Sequence, residues 1–131
     1  MARKGRVEYR VPSLNPPLSH YTDVVKAGNF VFVSGCAALD EHGDVVGTGD
    51  VKSQARKTHE NLKACLEAAG ATFEDVCKVT VYLVDVNDRA AVNESRKEFF
   101  GKAKPASTLI GVKALAKPEM LVEIEAVAFV G

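Results

Sequence analysis

Residues 120–130 read M-L-V-E-I-E-A-V-A-F-V, an apolar strand interrupted at alternate positions by Glu123 and Glu125. Side chains alternate across a strand, so Val122, Ile124, Ala126 and Ala128 share one face, and Leu121, Glu123, Glu125, Val127 and Phe129 share the other. The first face is built for a core. The second sets two carboxylates, roughly 7 Å apart by strand geometry, among aliphatic and aromatic neighbours. A cleft or subunit interface fits that pattern, and so does a solvated outer face.

The same period recurs upstream. Residues 5–11 (G-R-V-E-Y-R-V) predict a short strand. Residues 12–19 contain Pro16 and Pro17, which lack amide donors and restrict their predecessors, so this segment is an extended loop leading to His20 and Tyr21. Residues 24–26 and 30–34, joined by Ala27-Gly28-Asn29, predict a hairpin that ends at Gly35. A turn at residues 40–44 leads to a short return strand at Val45 and Val46.

The period then changes. Over residues 51–69, Val51, Ala55, Thr58, Leu62, Cys65, Leu66 and Ala69 recur at three- and four-residue steps, with Asp50 as cap and Gly70 as stop. Residues 72–75 form a capping turn, and residues 76–83 a strand with Cys77, Val79, Val81 and Leu83 inward. A second helix begins at Asn87 or Asp88 and runs to Phe100, with Val92 and Phe99 on its apolar face. The linker K-A-K-P leads to a strand over residues 107–113, a loop over 114–119 and the terminal strand. The order β-β-β-α-β-α-β-β predicts an α+β layer, two helices on one face of a mixed sheet. Residues 1–131 make one domain, with 1–17 as its N-terminal strand and Pro-rich loop. The uncovered sheet face, with Leu121, Val127 and Phe129 beside carboxylates, predicts an oligomer.

Composition narrows the function. Lys plus Arg and Asp plus Glu each total 17, so no bulk positive charge exists to hold nucleic acid. No apolar run of membrane or signal-peptide length follows the basic start M-A-R-K-G-R. The three cysteines, Cys36, Cys65 and Cys77, fit neither a disulfide framework nor a zinc site, and a reducing, cytoplasmic compartment is the simplest reading. His20, His42 and His59 lack zinc-ligand spacing, so no metal is expected. Cys36 follows Ser34-Gly35 at a strand end, a pocket position, whereas Cys65 and Cys77 fall on core faces. Glu123, between Val122 and Ile124 and facing an interface, is placed to have a raised pKa and to activate a water. A structural Glu paired with Lys or Arg across a subunit boundary fits the same spacing.

The motifs F-V-F-V-S-G (30–35), N-L-K-A-C-L-E-A-A-G (61–70), V-C-K-V-T-V-Y-L-V-D-V-N-D (76–88), A-V-N-E-S-R-K-E-F-F (91–100) and L-V-E-I-E-A-V-A (121–128) together resemble the Rid family of enamine/imine deaminases, also known as the YjgF or endoribonuclease L-PSP family. The resemblance implies a chorismate-mutase-like fold, a homotrimer around a central barrel and clefts between neighbouring subunits. It also implies cofactor-free hydrolysis of small enamines or imines to a 2-oxo acid and ammonia. By the same resemblance Tyr21 is the pocket tyrosine, here in S-H-Y rather than G-P-Y. Ser34 and Gly35 are the pocket floor, Asn93 is the asparagine of the second helix, and Glu123 is the glutamate that holds the attacking water.

One position departs from the family. Its P-A-R-S-type motif, whose arginine grips the substrate carboxylate, is here Pro105-Ala106-Ser107-Thr108. Serine cannot replace a guanidinium fork. Losing two charge-assisted hydrogen bonds weakens carboxylate recognition by on the order of a hundredfold or more. Either Lys113 or Arg96 supplies a substitute cation, or the substrate lacks that carboxylate and Ser107, Thr108 and Cys36 line a more neutral pocket. The sequence favours the second expectation.

Overall fold

Six strands form one sheet in the order β1-β2-β3-β6-β4-β5 in the computed structural model, which describes residues 4–131. Met1 to Arg3, the start of the basic run, lie outside the described residues. The elements are β1 (Arg6–Tyr9), β2 (Val24–Ala27), β3 (Phe30–Ala37), α1 (Val51–Ala68), β4 (Val76–Leu83), α2 (Arg89–Phe100), β5 (Ala106–Gly111) and β6 (Val122–Phe129). This is the predicted order, an α+β fold. Neighbouring strands are antiparallel except β4 and β5, which are parallel and joined by a crossover through α2. The predicted return strand at Val45 is a single bridge to Leu39.

The alternation of β6 holds: Val122, Ile124, Ala126 and Ala128 are buried, while Glu123, Glu125 and Val127 are half-buried. Two other strand readings need correction. In β4, Val76, Val79, Val81 and Leu83 are buried and Cys77 is exposed. The partner of Val76 is Ala128 and that of Lys78 is Val127, so β4 carries one extra residue there. This bulge resets the alternation and turns Cys77 outward. In β3 the strand does not stop at Gly35. The register shifts between Val33 and Cys36, and pairing resumes with Cys36 opposite Ile124 and Ala37 opposite Glu123.

Asp50 caps α1 as predicted, accepting from the amides of Lys52 (3.1 Å) and Ser53 (3.3 Å). Ala55, Thr58, Leu62, Cys65 and Leu66 form its buried stripe, but Gln54, His59 and Asn61 are buried with them. A buried amide must be satisfied, and these two are. Asn61 donates to the carbonyls of Ala37 (2.9 Å) and Leu39 (3.0 Å). Gln54 donates to the carbonyls of Gly47 (3.2 Å) and Glu119 (2.9 Å) and accepts from the Leu121 amide (2.8 Å), so it anchors the start of β6. Gln54→Ala strands that amide and those carbonyls, and the expected cost is about 3 kcal/mol. Urea unfolding reads it as a lower midpoint at unchanged slope; a loss under about 1 kcal/mol would mean that water replaces the side chain.

His59 packs between the helices, its ring stacked on Phe99 at 5.5 Å and edge-on to Phe100 at 6.2 Å. Burial pushes its pKa down to about 4, which keeps it neutral and structural at pH 7. In α2, Val92 and Phe100 are the buried apolar residues, and Phe99 is half-buried beneath the Arg56 guanidinium. The helices cover one sheet face. The other exposes Phe30, Phe32, Ile110 and Phe129, with Phe30 and Phe129 edge-to-face at 5.1 Å.

Candidate active site

The bulge in β3 is where the first half of the site forms. Gly35 lies beneath the Glu123 side chain: a Cβ there would stand 2.8 Å from the Glu123 carboxyl carbon. Only glycine lets the carboxylate lie across the strand. Glu123 then borders a cleft of about 400 Å³ together with Leu18, Tyr21, Ser34, Gly35 and Met120. Its pKa is raised, first by burial and then by the nearby charge of Glu125.

The two glutamates of β6 differ in their surroundings. Glu125 accepts a hydrogen bond from the Tyr82 hydroxyl, which shifts the phenol's pKa upward. Glu123 has no such donor among the described residues, so its oxygens face the cleft free to take a proton.

Hydroxyls flank it with defined polarity. The Tyr21 oxygen accepts from the Leu18 amide at 3.2 Å, leaving the phenolic proton available to a ligand. Ser34 donates to the Thr22 carbonyl at 2.7 Å, leaving its lone pairs available. Asp23, buried beside them, accepts from the Val11 amide at 2.8 Å and from the Arg10 guanidinium. That pairing fixes the chain after the Pro-rich loop.

Cys36 is turned away from this cleft. Its thiol is buried 3.9 Å from that of Cys65, beside a small cavity of about 40 Å³ that reaches Tyr21 and Ser34. The hydrogen bond with Cys65, then burial, push its pKa well above the ordinary thiol value. A thiol so placed packs and does not attack.

Asn93 and Ser107 stand elsewhere. They line a second groove of about 310 Å³ between α2 and β5, together with Arg89, Arg96, Val81 and Leu109. Ser107 pairs with Val79 and shares its helix-side face, whereas Thr108 pairs with Thr80 on the open face. The two adjacent residues thus serve opposite sides of the sheet. Tyr82 is opposite both Glu123 and Ile110, which sets Glu123 two strand spacings from β5. Ser107 is therefore about 10 Å across, about 10 Å further along and on the other face. Within one chain, Glu123 with Tyr21, Ser34 and Gly35 forms one group and Asn93 with Ser107 forms another.

The sequence reading omitted Arg89 from any site and offered Arg96 only as an alternative to Lys113. The signal was present: Arg89, Asn93 and Arg96 are spaced i, i+4 and i+7, one face of a helix. Lys113 does not line the groove. Among the described residues no group of three or more His, Cys, Asp or Glu side chains is arranged to hold a metal ion, and no helix is long and apolar enough to cross a membrane.

The family model described as endoribonuclease L-PSP matches residues 13–130. A RutC family protein of Pyrococcus horikoshii is 47% identical over 113 residues, 86% of this chain and 89% of that protein. The 3-aminoacrylate deaminase RutC of Acinetobacter baylyi is 41% identical over 115 residues, covering 88% of this chain and 90% of the relative. A 2-iminobutanoate/2-iminopropanoate deaminase of Dermatophagoides farinae is 34% identical over 119 residues, covering 91% and 92%. Among solved structures, E. coli TdcF with bound serine superposes with a TM-score of 0.85 at 32% identity, covering 95% of this chain and 98% of that one.

Proposed function

Because the chain belongs to the endoribonuclease L-PSP family, the Rid or YjgF family of imine and enamine deaminases, we propose that it hydrolyses a small imine or enamine and releases ammonia at clefts between the subunits of a homotrimer. The observation that carries this reading is the Glu123 carboxylate: half-buried over Gly35, raised in pKa and, among the described residues, without a donor in a cleft beside Tyr21 and Ser34. A carboxylate so tuned takes a proton from water as the water oxygen attacks the imine carbon. The C–O bond forms and that proton passes to nitrogen. As the C–N bond breaks, the new hydroxyl's remaining proton also passes to the departing nitrogen, so a carbonyl compound and ammonia leave. An enamine enters the same path once its carbon is protonated to the imine.

The division of the site supports the proposed assembly. One chain keeps its Glu123 cleft and its Asn93–Ser107 groove on opposite sides of the sheet, so a neighbour must supply the second half for both to touch one small substrate. The open face and the exposed edge strand β5 are the surfaces available for it. Thr108 and Ile110, on the open-face side of β5, lie at that contact.

The test is ammonia release from a freshly generated 2-aminoacrylate stream, followed beside the protein's mass in solution. The expected result is release above the uncatalysed rate by a species of three chains. A monomer that releases ammonia at full rate would overturn the shared site.

A further inference from the structure

The charges of α2 are sorted by face. Glu94 and Glu98 pair with Lys52 and Arg56 on the α1 side. Arg89 and Arg96 stand on the groove side, and among the described residues neither has a carboxylate within 4 Å. Two guanidiniums therefore share one groove with the Asn93 amide and the Ser107 hydroxyl, and none of these groups contributes a negative charge. Arg96 is half-buried, and that burial disfavours its charge. Arg89 beside it is exposed. An unneutralised, partly desolvated guanidinium such as that of Arg96 is what a planar anion satisfies with parallel hydrogen bonds. Ser107, with its short side chain, leaves the space that a larger residue on β5 would fill.

Resting on the proposed function, we infer that the substrate carries a carboxylate and that α2 supplies its recognition: Arg96 is the forked donor, with Arg89 beside it and Asn93 and Ser107 completing the contact. The sequence expectation of a carboxylate-free substrate rested on the serine at position 107. The structure sets two guanidiniums beside that serine. Specificity then resides on the helix, and Lys113 has no part in it.

The test is calorimetric titration of the whole protein with pyruvate, a planar 2-oxo acid that binds without reacting, at low salt. Wild type binds; Arg96→Gln weakens binding about thirty- to a hundredfold, and Arg89→Gln weakens it about tenfold or less. Arg96→Lys keeps the charge but not the fork and recovers only part of the affinity, which separates recognition from a folding defect. Lys113→Gln binds as wild type does. Raising the salt weakens the wild type and leaves Arg96→Gln little changed. Pyruvate affinity unaltered by Arg96→Gln overturns the inference, even where wild type releases ammonia. Arg96-dependent pyruvate binding in a protein that releases no ammonia supports the anion site and overturns the proposed hydrolysis instead.

Discussion

Glu123→Gln is expected to lower kcat about a thousandfold, the usual contribution of a positioned general base, while leaving assembly and pyruvate binding in place. Glutamine matches glutamate in shape, so the cleft over Gly35 keeps its form. The amide accepts hydrogen bonds but takes no proton from the attacking water. Thermal stability is expected to hold or rise. Burial and Glu125 raise the folded-state pKa of Glu123, so the folded protein is penalised for carrying the ionised form above that pKa, and glutamine removes the penalty. The wild-type rate falls as pH drops through this raised pKa, because protonation removes the base; the variant's residual rate lacks that acid limb. Turnover within tenfold of wild type would place the base elsewhere. Wild type that binds pyruvate yet releases no ammonia, with Glu123→Gln equally silent, favours a cleft that binds without catalysing.

The sequence revealed the layer more fully than the site. Period two in β6 and period 3.6 in α1 each record which side of an element meets the core, and both survive in the structure. Cys77 is misplaced because a one-residue bulge breaks the alternation between it and Val79, which stays inward with Val81 and Leu83 as read, and nothing in V-C-K-V marks the break. Gln54 and Asn61 were passed over because their burial is satisfied by carbonyls and an amide from distant loops, contacts that no local pattern encodes. The placement of Glu123 on the open face was legible because it depends on strand parity. Ser107 and Thr108 were grouped because they are adjacent, yet parity separates them, and the same rule applied to β5 divides them. Arg89 and Arg96 lay in plain view at helical spacing. Their meaning depends on which acids of α2 turn toward α1, and only packing decides that.

Val127→Asp is the larger disturbance of the whole molecule. Val127 sits at the centre of the open face, paired with Phe32 on β3 and Lys78 on β4, and half-buried in the single chain. An aspartate there remains tolerable in an isolated subunit, since it reaches solvent and has Lys78 beside it. Closed symmetry makes the same substitution appear in every subunit contact at once. Burying it in the proposed assembly costs several kcal/mol per subunit, enough to disperse the trimer at micromolar concentration. Light scattering is expected to give 14.0 kDa, one chain, in place of three. Circular dichroism is expected to stay native, and ammonia release to fall to the background rate. Residue 127 lies about 13 Å along β6 from Glu123, so that silence reports separation of the two half-sites rather than damage to either. Val127→Leu keeps the face apolar and keeps both mass and rate. An aspartate variant that still weighs three chains would show that this face is not the contact, and the joining of the Glu123 cleft to the Arg96 groove would then have to run through the β5 edge alone.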